Sequence, residues 1–428
     1  MTTLSTIGAF FKRQISRFLH SGEVAESRAL YIAAWALLFG WFLEFSFWSQ
    51  YSDFTRNAVE EGRQLCWPFF QSCGSWYFLT VPPLGNLQGA AYALLFALMV
   101  WAGFLLVRRR FEAVYAIFLI LFAWETLVML MSMRLSVNYW YFHFLYAALF
   151  LFARYKLSFL RVGAVLLYFL SGLTKLNEGW LSGAYFKALQ GGLDFIPHAL
   201  IPVATNAVIF MELVLVWFLF YPDRRVRLFV LGVLAVFHTY SAVFVGLRYP
   251  AIVLPMILAL FFAGEQAPWS WRPLRQIFGG VLILLLVCAV DAIPYAIPGP
   301  SRVTGEGNKL GVYMFDANYQ CVSVSTTYFK NGTREVATST STYAIQRCDP
   351  YAIWFYLKQL CALNPAISSI ALTFDTSING SPFWRIVDVP NACAVSYLPF
   401  AHNAWIRIPG VDQVVQMGLP QKNLYRPL

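Results

Sequence analysis

The stretch Tyr168-Phe-Leu-Ser-Gly-Leu-Thr-Lys-Leu-Asn-Glu-Gly-Trp180 closes a long apolar run and carries the most chemically suggestive spacing in the chain. Tyr168, Ser171, Gly172 and Lys175 stand at i, i+3, i+4 and i+7, so a helix sets all four on one face. That face is polar and small, unlike a stripe turned to lipid. A lysine kept dry there would present a neutral amine, which is a base. The competing reading has Lys175 snorkelling to nearby headgroups on its apolar stem. Spacing alone leaves both open.

Six more ionisable residues fall within or at the ends of apolar runs: Glu44, Glu125, His143, Glu212, His238 and Asp291. A charge at mid-bilayer costs about 2.5–3.5 kcal/mol on insertion scales, so each needs a reason. His238 has Ser241 one turn on, Glu212 has Thr205 two turns earlier, and His143 follows Asn138-Tyr-Trp-Tyr-Phe. Taken singly, each reads more simply as an interhelical hydrogen-bond partner than as a catalytic group. No hydrolase elbow, phosphate loop or paired-carboxylate motif occurs. Neither does a C-x-x-C pair or a His/Cys cluster with metal spacing, so no metal site is expected.

The elements that must position these residues follow from composition. Of 428 residues 59% are hydrophobic and only 12% charged, against about 25% charged in a typical soluble domain. That excludes a soluble cytosolic enzyme and a disordered chain. The net charge of +10 sits in short loops between apolar runs and forms no basic domain, which argues against nucleic acid. The expected partner is the lipid bilayer.

Nine apolar segments run approximately 29–48, 87–107, 113–133, 137–153, 157–175, 203–221, 228–247, 250–263 and 277–297. The eighth is short and is expected to tilt or break at Pro255. With the N-terminus inside, the inner basic set is Lys12, Arg13, Arg17, Arg28, Arg108, Arg109, Arg110, Arg154, Lys156, Arg161, Arg224, Arg225, Arg227, Arg272 and Arg275, fifteen in all. The outer set is Arg56, Arg63, Arg134, Lys175, Lys187 and Arg248, six in all. This asymmetry orients the chain N-inside. Nine spans then put the C-terminal region outside. Residues 1–28 form an inner-face segment in which Ala9–Leu19 alternates basic and apolar faces, as an interfacial helix does.

Cysteines agree with that orientation. Cys66 and Cys73 fall in the first outer loop, and Cys321, Cys348, Cys361 and Cys393 in the C-terminal region. An even set confined to one side fits disulfides in an oxidising compartment. Cys66 and Cys73 could bridge each other or tie their loop to the C-terminal region.

From about Gly299 the apolar runs shorten and Thr, Ser and Asn rise. Cys321–Phe329 and Arg334–Thr342 flank Asn331-Gly332, and Ser369–Ile378 and Pro382–Val389 flank Asn379-Gly380. Asn-Gly between β-prone runs is a strong hairpin signal. Asp349-Pro350 opens a helix reaching Leu363, with an aspartate cap and a first-turn proline. The fold expected is an all-α polytopic bundle of about nine spans over 29–297. A small extracytoplasmic α+β domain follows over 298–428, stapled by up to two disulfides. Asn331-Gly-Thr and Asn379-Gly-Ser also match glycosylation sequons, although turn formation explains both asparagines.

The run Ser171-Gly172-Leu-Thr-Lys175-Leu-Asn-Glu-Gly-Trp180-Leu-Ser-Gly183, with Glu212, Phe237-His238 and the turn Pro222-Asp-Arg-Arg225, resembles the HTTM superfamily. That is the integral-membrane domain of vitamin K-dependent gamma-glutamyl carboxylase and of many bacterial homologues. The likeness covers about 140–265, and its specific core is G-x-x-K-L-x-x-x-W. It implies a lipid quinol, vitamin K-like, as cofactor, with Lys175 as the base that deprotonates it and His143 and His238 near the quinol or substrate. Tyr168, Ser171, Glu212 and Trp180 would line the pocket. It also implies a multi-pass protein of a bacterial inner membrane. The chain departs from the carboxylase in its outer portion, which is short and carries a different cysteine pattern. Carboxylation of a protein substrate is therefore not expected.

Two functions follow. In one, the chain is a quinol-using membrane enzyme with Lys175 as general base. In the other, it is a non-catalytic anchoring or assembly subunit whose outer domain docks a secreted or membrane protein. A transporter ranks third, since no pair of symmetrically interrupted helices is evident.

Overall fold

The computed structural model describes residues 20–50, 65–73, 88–133, 138–188, 196–244, 246–265, 274–309, 311–313, 317–341, 348–409 and 412. The amphipathic stretch expected at Ala9–Leu19 lies outside them, as do Arg56, Arg63, Arg134 and Arg272. Among the described residues, nine helices correspond one by one to the nine apolar segments. They are α1 (Arg28–Gln50), α2 (Gln88–Val107), α3 (Phe111–Met131), α4 (Asn138–Phe152), α5 (Lys156–Thr174), α6 (Ile201–Leu213), α7 (Arg224–Phe244), α8 (Arg248–Phe261) and α9 (Leu274–Ala296). Among the described residues seven stretches are long and apolar enough to cross a membrane, while α4 and α8 are shorter. Large apolar side chains such as Leu94, Trp101, Phe229, Val236 and Leu285 point outward. An outer surface this apolar belongs against lipid. The chain is a multi-pass membrane protein.

Two segments differ from expectation. Pro255 lies inside α8 without ending it, and Pro250 sits in the first turn, where a missing N–H costs nothing. The sixth run is instead interrupted: α6 stops at Leu213 and continues beyond Val214 as a 3-10 turn, Leu215–Phe220. The break, at Val214, comes two residues after Glu212.

Some residues counted as loop charge are buried helix caps. Lys156 is fully enclosed and donates to the carbonyls of Leu151 (3.4 Å) and Ala153 (2.9 Å), at the end of α4. Arg161 donates to the carbonyls of Leu260 and Glu265, each at 2.8 Å, at the end of α8. Cations suit these carbonyl ends. Glu23 in turn accepts from the backbone N–H groups of Tyr155 (2.9 Å) and Lys156 (2.7 Å), capping the start of α5. These groups give the bundle fixed helix junctions at the end where α4 meets α5.

At the other end sits a four-stranded antiparallel sheet, order β2-β1-β3-β4, with β1 (Tyr319–Phe329), β2 (Arg334–Ser341), β3 (Ile367–Ile378) and β4 (Trp384–Val389). Both expected hairpins are present, joined through β1 and β3. Their turns differ. Asn379 and Gly380 both take positive φ, +52° and +75°, as a tight Asn-Gly turn requires. In the first loop only Gly332 does (+84°). Asn331 instead folds the loop by accepting from Thr333, N–H at 3.0 Å and Oγ at 2.7 Å. Helix α10 (Pro350–Leu363) begins under Asp349, whose carboxylate accepts from the Tyr351 N–H at 3.0 Å.

Three disulfides close this end: Cys66–Cys73, Cys321–Cys348 and Cys361–Cys393. The first is therefore local. The second ties β1 to the start of α10, and the third ties its end to the segment after β4. The sheet unit shares one hydrophobic core with Trp48 of α1, Val128 and Met131 of α3, and the 65–73 segment. The Tyr351 hydroxyl donates to the Cys66 carbonyl at 2.8 Å. Packing joins the 65–73 segment and the ends of α1 and α3 to the unit expected over 298–428.

Candidate functional site

Lys175 follows the last turn of α5 and is 2% exposed. Its Nζ donates to both carboxylate oxygens of Glu212, at 2.7 and 3.0 Å, and to Ser171 Oγ at 2.7 Å. The Trp180 ring lies 5.5 Å from the same nitrogen. The amine is thus enclosed in protein, and the snorkelling alternative does not describe it.

Local sequence explains the geometry. Ser171 and Lys175 are one turn apart, so the hydroxyl reaches the amine along one face. Gly172 lies on that face where α6 crosses. A Cβ there would stand 3.0 Å from the Glu212 Cβ and 2.8 Å from Leu213 Cδ2. Its absence lets the two backbones close up, as small residues do at membrane helix interfaces. Asn177 then turns the chain: its Oδ1 accepts from the Trp180 N–H and its Nδ2 donates to the Thr174 carbonyl. The short helix Glu178–Leu181 brings Trp180 back over the amine, stacked on Tyr185 at 4.8 Å between ring centres.

The sheet unit covers this turn. Gly179 has no room for a side chain because Asn379 Nδ2 occupies the space. Asn379 and Asn318 exchange two hydrogen bonds at 2.9 Å, and Asn318 Nδ2 donates to the Tyr185 carbonyl. The second Asn-Gly turn is therefore seated on the Lys175 loop.

Two turns deeper on the same face, the Tyr168 hydroxyl hydrogen-bonds His238 Nε2 from α7. Both are fully buried, and the other ring nitrogen of His238 has no hydrogen-bond partner among the described residues. Tyr249 of α8 packs on the His238 ring at 5.4 Å, and Tyr168 and Tyr249 both lie within electrostatic reach of Glu212. Lys175, Ser171, Glu212 and Trp180 thus form one group, and Tyr168 and His238 a second pair two turns deeper on the same face of α5.

His143 belongs to a different set. It meets Glu44 of α1 and Glu125 of α3, with Nδ1 at 3.0 Å from the first and 3.2 Å from the second. These two glutamates are paired with the histidine that the family resemblance would put near a quinol, and no spacing rule discloses the grouping. Asp291 and Thr205 serve locally. Asp291 accepts from the Val312 N–H at 2.6 Å, and the Thr205 hydroxyl bonds back to the carbonyls of Ile201 and Pro202.

Compared with known proteins, the chain matches no family model, no curated protein and no solved structure. Its function has to be argued from the site.

Proposed function

We propose that the chain is a multi-pass membrane enzyme of HTTM type in which the Lys175–Glu212 pair takes a proton from a lipid hydroquinone. The observation that carries this is an enclosed amine held by both oxygens of one carboxylate and by a hydroxyl. A buried ion pair contributes little net stability, since desolvation offsets its attraction. Its arrangement is better suited to moving a proton. Transfer of one Lys175 proton to Glu212 within the pair would leave the amine neutral. It can then accept the proton of a phenolic hydroxyl, and the ammonium so formed balances the quinolate charge. Ser171 fixes the direction of the amine. The Trp180 ring lies beside it, backed by Tyr185 and Phe186, and an aromatic face of this kind suits a flat quinol ring. Tyr168 and His238 offer a deeper relay.

In this reading all nine helices span, the N-terminus is inside, and the disulfide-closed sheet unit lies on the oxidising side. The test is activity and cargo together. Mass spectrometry of the purified protein should find a lipid quinone that is lost from Trp180→Ala. With dioxygen supplied as the oxidant, Lys175→Ala should abolish oxidation of added quinol while leaving the protein folded, though less stable. Full quinol turnover without the amine would end the proposal.

A second reading, an anchoring subunit for an outer protein, is favoured by one feature. Residues 331–339 are exposed throughout, and among the described residues no strand pairs with the outer edge of β2. A partner strand could add there. Deletion of the hairpin tip would then abolish co-purification of that partner without touching quinol turnover.

A further inference from the structure

We propose that Glu44, Glu125 and His143 form a binding site for one divalent transition-metal ion, separate from the Lys175 pair and independent of its role. Three helices, α1, α3 and α4, each contribute one group, and all three side chains are essentially unexposed. The nearest ligand atoms lie within 4.8 Å of one another. His143 Nδ1 is 3.0 Å from Glu44 Oε1 and 3.2 Å from Glu125 Oε1. A metal about 2.0–2.2 Å from each ligand places neighbouring ligands on the order of 2.9–3.5 Å apart. The two distances fall on such coordination edges.

The surroundings are built as a second shell is built. His143 Nε2 is 3.0 Å from the Leu37 carbonyl, so that nitrogen carries the proton and donates it. Nδ1 then faces the two carboxylates, donating to them when the ring is doubly protonated and offering its lone pair to a cation when it is not. A ligating histidine characteristically anchors its other nitrogen in this way. Trp41 Nε1 donates to Glu125 Oε2 at 2.8 Å, which orients that carboxylate and leaves Oε1 for the metal. Gly40 leaves room for the imidazole, since a Cβ there would overlap the ring.

The independent observation is Glu44. It is 0% exposed; its Oε1 faces His143 Nδ1 at 3.0 Å, and its Oε2 has no hydrogen-bond partner among the described residues. A buried carboxylate oxygen without a partner is costly. Charge points the same way. Two carboxylates and one imidazole share the site, and among the described residues the groups acting electrostatically on Glu44 are Glu125 and His143. A divalent cation held by both carboxylates and a neutral imidazole makes the cluster neutral and supplies a partner for Glu44 Oε2. One nitrogen and two carboxylate oxygens suit zinc, manganese or ferrous iron, whereas calcium prefers six to eight oxygens. Three protein ligands leave coordination positions open for an outside ligand.

The test is metal analysis of the full chain, purified in detergent with a histidine-free tag and no chelator. One equivalent of zinc, manganese or iron per chain is expected, falling at least tenfold in Glu44→Gln, which keeps the side-chain volume. Removing metal from the wild type with a membrane-permeant chelator should lower its Tm, and adding the same metal back should restore it. Glu44→Gln should show neither response. Less than a tenth of an equivalent, both as purified and after incubation with each of Zn2+, Mn2+ and Fe2+, would overturn the proposal and leave protons as the balancing charge. Metal content unchanged in Glu44→Gln and in His143→Ala would overturn it as well, by placing the ion elsewhere.

Discussion

The Cβ that Gly172 lacks would stand 3.0 Å from the Cβ of Glu212. This near-contact sets the distance between α5 and α6, and through it the reach of Lys175 to Glu212. Gly172→Ala should force the helices apart by a few tenths of an ångström, and Gly172→Val by more. Overpacking of this kind costs about 1–3 kcal/mol. Thermal unfolding in detergent should show a graded loss from glycine to alanine to valine. Quinol turnover should fall faster than stability does, because the Lys175–Glu212 geometry is what the side chain displaces. Equal stability in all three would mean the interface is loose.

The Lys175–Glu212 pair itself separates structure from chemistry. Removing one partner leaves a buried charge uncompensated, which typically costs about 3–5 kcal/mol, whereas replacing both with apolar residues can be nearly neutral. Lys175→Met and Glu212→Leu should each destabilise the bundle, and the double variant should regain most of the loss. All three should be inactive. A double variant as unstable as the singles would show that the groups do not act as a pair. A stable and active one would remove the catalytic role.

These relationships show which parts of the site were legible in the sequence. Ser171 and Lys175 share a face by arithmetic, because one helix contains both. Glu212 and His238 reach that face from other helices, and their partners depend on which helices pack together. Depth offers a partial signal. Glu44 and Glu125 each lie six residues before a helix end, and His143 lies five after a helix start. At about 1.5 Å per residue all three sit some 8–9 Å inside the helix ends. Level alone would have narrowed the pairings without choosing among them. The hairpins were legible because Asn-Gly turns act locally, while the β1–β3 pairing was not, since nothing in either strand names its neighbour. Lys156 and Arg161 were read as loop charge because a basic residue at a helix start looks the same whether it faces water or caps another helix.

The seat of the β3–β4 turn on the Lys175 loop gives a third prediction. Asn379 holds positive φ, accepts from the Asn318 N–H and fills the space above Gly179. Asn379→Ala keeps neither the hydrogen bond nor an easy left-handed backbone, and should cost roughly 1–3 kcal/mol. Asn379→Gly relieves the backbone and loses only the hydrogen bond, so it should be milder. Limited proteolysis should cut between the sheet unit and the bundle faster in Asn379→Ala than in Asn379→Gly. Identical cleavage in both would show that the turn does not hold the unit down.

His20 provides a pH test outside the membrane-spanning helices. Burial, with Lys156 and then Arg154 nearby, holds its imidazole below the ordinary value of 6.5, against a smaller opposing pull from Glu23. The sign follows from proton uptake. Below 6.5 the unfolded chain takes up a proton that the folded chain refuses, so the unfolded state binds more protons and stability falls with falling pH. The loss should begin near pH 6.5 and stop once pH passes below the depressed folded value, where both states are protonated. His20→Gln cannot titrate and should flatten this part of the curve of Tm against pH between about 6.5 and 5. Because His20 is only partly buried, the effect should be small. A variant that follows the wild-type curve throughout that window would assign the pH dependence to other groups.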